Sequence, residues 1–163
     1  MSITFNADEI FEMAEEIERN GASFYRQAAQ NTADQATKEL LLNMAVMEDG
    51  HLEIFQQMRK DLTDADKKAT TYDPENQAVL YLQTMADARG YEGKISPQKE
   101  LTGQETPRQI IEIALNSEKE SVVFYYGLKG LTSASTEKKL DKVIIEELGH
   151  ITSLLKKLKE YEN

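Results

Sequence analysis

At 163 residues the chain is long enough for one domain that buries roughly two thirds of the surface its unfolded form exposes. Its net charge of -10, from 19 basic and 29 acidic side chains, argues against phosphate backbones and anionic membrane surfaces as partners. Cysteine is absent, which excludes disulfides, thiolate metal sites, iron–sulfur clusters and catalytic thiols together.

Met1 to Thr4 forms neither a basic nor an apolar leader, and no signal peptide is expected. Apolar runs such as Leu40-Leu41-Leu42 are too short to span a bilayer. Residues 1–163 therefore read as one cytoplasmic helical domain, with no nucleic acid and no membrane as partner.

Asn6 with Glu9 three residues on reads as a capping box that opens a helix over residues 7–31. Thr32 with Gln35 repeats the device and opens a second over 33–62. Within residues 63–105, Asp73-Pro74 followed by Ala78, Val79, Leu80 and Leu82 predicts a short extra helix ended by Gly90. Thr106-Pro107 with Gln109 opens a third helix over 107–131, proline standing at the first position, where its missing N–H costs nothing. Ser133 or Ser135 starts a fourth, over 135–161.

Apolar residues recur at spacings of three and four in all four helices. The rows include Phe11, Ala14, Ala22, Tyr25 and Ala29 in the first and Leu41, Met44, Phe55 and Met58 in the second. Ile111, Ala114, Val122 and Leu128 line the third, and Leu140, Ile144, Ile151, Leu154 and Leu158 the fourth. No segment keeps a period of two, so the class is all-α. The second helix would be about 45 Å long. The residues after it suffice to cross that length, so two tight hairpins joined by one long crossover is the expected bundle.

The hairpins repeat one another. Glu18 with Phe24-Tyr25 returns 100 residues later as Glu118 with Phe124-Tyr125. Glu48-Asp49-Gly50-His51 returns 99 residues later as Glu147-Leu148-Gly149-His150. The chain has only two histidines, and each follows a glutamate by three residues, which puts both side chains on one helix face.

These polar residues interrupt the apolar rows, so four carboxylates point at one core. Glu18 lies 14 residues before Thr32 and Glu48 lies 16 after it, within about 3 Å of one height in an antiparallel hairpin. Glu118 and Glu147 stand 14 and 15 residues from Thr132. An ionised carboxylate in an apolar core costs several kcal/mol unless neutralised, and no lysine or arginine lies on the inward rows. Two divalent cations would cancel four negative charges and leave both histidines as neutral ligands. Oxygen-rich coordination with one imidazole per metal suits iron or manganese, although zinc could occupy the same site.

One glutamate from each of two helices with Glu-x-x-His from each of the others is the arrangement of ferritin-like di-iron carboxylate bundles. The run from Glu18 to Tyr25, the two Glu-x-Gly-His segments and the place of the crossover resemble the rubrerythrin branch of that superfamily, over residues 7–62 and 106–161. The resemblance implies a ferritin-like four-helix bundle with two iron ions. Glu18 and His51 would hold one, Glu118 and His150 the other, and Glu48 and Glu147 would bridge them. It further implies an oxidoreductase that reduces hydrogen peroxide to water, each iron giving one electron, or that reacts with dioxygen. Ser121 stands where such proteins usually carry a further glutamate, and the four-cysteine rubredoxin domain of the prototypes is absent from these residues. Electrons would then come from a separate donor protein. Ferroxidase activity with iron storage, and metal binding without catalysis, are the alternatives.

Tyr25, two turns beyond Glu18, is the candidate catalytic residue, placed to hydrogen-bond a ligand carboxylate or to donate an electron. Tyr125 and Tyr126 stand in that relation to Glu118, and only one of them can face inward. Glu15 is a candidate extra ligand, and Glu146 and Asp49 are candidate partners for the outer N–H of a histidine. Close approach of a neighbouring helix would account for Gly50 and Gly149. Apolar residues around Leu80 and Leu82 make a homodimer the expected state.

Overall fold

The computed structural model describes residues 6–64, 101–129, 132 and 134–161. Four helices account for nearly all of them: α1 (Ala7–Gln30), α2 (Gln35–Lys60), α3 (Pro107–Lys129) and α4 (Ala134–Glu160). The extra helix expected near Leu80 falls outside the described residues.

Local chemistry sets the helix starts. The Asn6 carboxamide accepts the Glu9 N–H at 3.0 Å, and the Glu9 carboxylate accepts the Asn6 N–H at 2.8 Å, which completes the expected capping box. Thr106 and Gln109 exchange the same pair of bonds at 2.8 and 3.3 Å in front of Pro107. The start of α2 differs from expectation. Asp34, not Thr32, caps it, accepting the Thr37 N–H at 2.9 Å. A carboxylate suits the positive end of a helix better than a hydroxyl, and Lys157 lies 3.3 Å from it.

Apolar side chains gather in two clusters. One joins Ile10, Phe11 and Ile17 from the start of α1 to Phe55 and Met58 near the end of α2, Phe124 and Leu128 near the end of α3, and Leu140 and Val143 near the start of α4. The other joins Phe24 and Ala28 late in α1 to Leu41 and Met44 early in α2, Ile110 and Ile111 early in α3, and Leu154 late in α4. These groupings fix the directions: α1 runs antiparallel to α2 and to α3, and α4 runs antiparallel to α2 and α3. The helices pack in the cyclic order α1, α2, α4, α3. Helix α2 thus ends at one end of the bundle and α3 begins at the other, as the long-crossover topology requires. Between the clusters lies one polar layer, built from Glu18, Glu48, His51, Glu118, Glu147 and His150.

Gly50 and Gly149 have a different setting from the one expected. Both are exposed, and among the described residues a Cβ at either would meet nothing within 4 Å. The close approach is at Gly21 instead, where a Cβ would lie 3.5 Å from the Glu48 side chain. No described helix is long and apolar enough to cross a membrane. Gly50→Ala and Gly149→Ala should each raise the stability of the metal-free protein by about 0.4–1 kcal/mol in denaturant unfolding, since alanine restricts the unfolded chain and favours helix. A loss of stability would contradict open surroundings at these positions.

Candidate metal centre

The repeat delivers the site symmetrically. Helices α1 and α3 each bring one glutamate, Glu18 and Glu118. Helices α2 and α4 each bring a pair one turn apart, Glu48 with His51 and Glu147 with His150. None of the six is more than 4% exposed. They form two groups, Glu18, Glu48, His51 and Glu147 in one and Glu48, Glu118, Glu147 and His150 in the other, with one donor atom from each residue within 4.8 Å of the rest. Glu48 and Glu147 belong to both.

The inner histidine nitrogens show how these groups are arranged. His51 Nδ1 lies 3.1 Å from Glu147, 3.5 Å from Glu18 and 3.7 Å from Glu48. His150 Nδ1 lies 3.0 Å from Glu147, 3.2 Å from Glu48 and 3.4 Å from Glu118. Despite these distances neither Nδ1 is aligned for a hydrogen bond, and Glu18 Oε2, Glu48 Oε1 and both oxygens of Glu147 are buried without a partner as well. A buried polar atom left in that state is costly. Donor atoms that surround a common point without bonding one another are what a cation needs. Ligands about 2.1 Å from a hexacoordinate ion stand about 3 Å apart. The residues present therefore fit a pair of divalent cations.

Electrostatics agree. Burial pushes Glu18 and Glu118 well above the usual carboxylate range, and the charges of Glu48 and Glu147 add to it. Burial also acts to raise Glu48, but the neighbouring Glu18 carboxyl and the imidazoles of His150 and His51 hold it well below that range. Glu147 is lowered too, its histidine contacts outweighing burial and the Glu48 charge. Burial acts to lower both imidazoles, yet the surrounding carboxylates drive them up, His150 to about 12. Without metal, Glu18 and Glu118 are biased toward their neutral forms and both imidazoles toward imidazolium, which offsets the charge of Glu48 and Glu147. With two divalent cations, four carboxylates and two neutral imidazoles balance four positive charges.

A second ring of contacts crosses between the hairpins. Because α1 and α3 are antiparallel, the Tyr25 hydroxyl donates to Glu118 and the Tyr125 hydroxyl donates to Glu18. Burial, then the nearby carboxylates, pushes both phenols well above their usual range and keeps them protonated. Tyr25 thus bonds a cluster carboxylate as expected, but on the opposite hairpin. Tyr125 is the inward member of its pair, and Tyr126 is 69% exposed. Glu146 bonds His51 Nε2 at 2.8 Å, whereas Asp49 pairs with Arg26. Met47 Sδ lies 3.3 Å from His150 Nε2, a contact no sequence motif announced. Glu15 is buried, but it faces Arg59 at 3.6 Å and Arg19 at 3.9 Å and joins neither group. Ser121 is buried where the further glutamate of the family pattern would stand.

The rubrerythrin family model matches residues 9–159, which takes in both hairpins and all six clustered residues. The chain belongs to the rubrerythrin family. A solved structure from Thermotoga maritima, described as a ferritin-like diiron-carboxylate protein, is similar over 97% of each chain with a TM-score of 0.69 and 24% sequence identity. That likeness establishes the ferritin-like four-helix bundle. No curated protein matches the chain.

Loading this rubrerythrin-family site should release protons near neutral pH, since ligands must shed protons to bind. Titration calorimetry in buffers of different ionisation enthalpy measures the number, and affinity should fall as pH falls. Metal uptake without proton release would contradict the charge balance.

Proposed function

We propose that the protein is a rubrerythrin-like oxidoreductase that reduces hydrogen peroxide, or dioxygen, with electrons from a separate donor protein. The observation that carries this reading is the pair of four-donor groups sharing Glu48 and Glu147, with both Nδ1 atoms and four carboxylate oxygens buried and unpaired. Glu18 and His51 would hold one iron ion and Glu118 and His150 the other, with Glu48 and Glu147 between them. Manganese or zinc could take the same ligands.

Two ferrous ions so held would supply the two electrons that one peroxide molecule accepts. The chain's own residues prepare the site for that chemistry. The two apolar clusters close the layer from both ends and exclude bulk water. Tyr25 and Tyr125 fix Glu118 and Glu18 in place and keep a proton at each phenol oxygen beside the cluster. Cytoplasmic placement and a homodimeric state, both expected from the sequence, complete the proposal. Leu42 and Val46 on α2 and Ile145 and Leu148 on α4 offer exposed apolar surface for a second copy.

Protein reduced anaerobically with dithionite should be reoxidised faster by peroxide than by air, followed through the absorbance of the ferric form. Equal or negligible rates would overturn the peroxidase reading. Tyr25→Phe should retain its metal and slow the peroxide reaction by roughly 10–100-fold, the usual cost of losing a group that orients a ligand.

A further inference from the structure

The internal repeat makes the two halves of the metal centre nearly interchangeable. Each group holds three glutamates and one histidine, and each outer glutamate accepts a bond from a tyrosine of the opposite hairpin. At the outer nitrogens of the two histidines the correspondence fails. Glu147 is the counterpart of Glu48, so residue 146 is the counterpart of residue 47, and these are glutamate and methionine.

Both residues reach across the α2–α4 interface to the outer nitrogen of the opposing histidine. Glu146 Oε2 lies 2.8 Å from His51 Nε2, and Met47 Sδ lies 3.3 Å from His150 Nε2. Each ring turns Nδ1 toward the cluster, so a metal-bound ring carries its proton on Nε2 and donates outward. The acceptors are of different strength. A carboxylate makes a charge-assisted bond that fixes the ring and raises the basicity of the ligating nitrogen. A thioether is a weak acceptor and does little of either. Solvent reaches half of the Glu146 side chain and moderates the effect, but the direct bond remains.

On the reading that the cluster holds two cations, we infer that the two metal positions are unequal. The cation on His51, backed by Glu146, is held more tightly and released more slowly than the one on His150, backed by Met47. Glu146 is a positioning residue for one metal alone.

The test uses the full chain loaded anaerobically with ferrous ion and then mixed with excess coloured ferrous chelator. The parent should release its iron in two phases of equal amplitude, the slower by roughly 10–100-fold. Glu146→Met, which copies the other half, should speed the slow phase until the two merge. Met47→Glu should slow the fast phase until they merge. Both side chains are substantially exposed, and circular dichroism will show that the variants keep their helices. A single phase in the parent, or two phases unchanged in both variants, would overturn the inference. A parent that takes up no iron would overturn the metal-centre reading as well, an outcome visible before chelator is added.

Discussion

The four glutamates at the centre of the bundle lie where water does not reach, and two imidazoles share the space with them. An ionised carboxylate in such a place costs several kcal/mol unless its charge is cancelled. Among the described residues no lysine or arginine is buried; Arg59, for example, stays at the rim with Asp8, Glu12 and Glu15. Only protons or cations remain to neutralise the layer. The rest of the structure follows from accommodating it: an apolar cluster on either side supplies the burial that holds four helices together, and the polar layer divides them.

The repeat gives this layer its form. A hairpin that carries one lone glutamate and one Glu-x-x-His pair supplies half a site, and two such hairpins supply a whole one. Antiparallel packing of α1 against α3, and of α2 against α4, then makes the supporting contacts reciprocal across the hairpin boundary. Tyr25 serves Glu118 and Tyr125 serves Glu18; Glu146 serves His51 and Met47 faces His150. Each half of the centre is therefore held in shape by the other half, and the hairpins must be docked before either set of ligands is in place.

The six clustered residues were legible because they break helical apolar rows at matching distances from the turns, a signal that depends only on helix rise and the cost of buried charge. The family resemblance rested on the same residues and agrees with the match over residues 9–159. What escaped the sequence depends on how the hairpins meet. Counting from a turn fixes depth within a hairpin but says nothing of direction between hairpins, so Tyr25 could be placed near a carboxylate without showing that the carboxylate is Glu118. Asp34 and Thr32 are both good capping residues, and only the length of the turn separates them. Glu146 reads more readily as a surface charge, since half of its side chain is exposed and only its tip reaches the ring. Gly50 and Gly149 sit beside the histidines in both halves, yet the described structure places nothing against them.

The central claim is that the buried layer holds two cations. The most direct measurement is anomalous X-ray diffraction at the iron absorption edge from crystals of protein grown with iron and without chelators. The expected result is two anomalous peaks in each chain, one against Glu18 and His51, the other against Glu118 and His150, with Glu48 and Glu147 reaching both. An iron-replete crystal with the six side chains in place and no peak among them would contradict it.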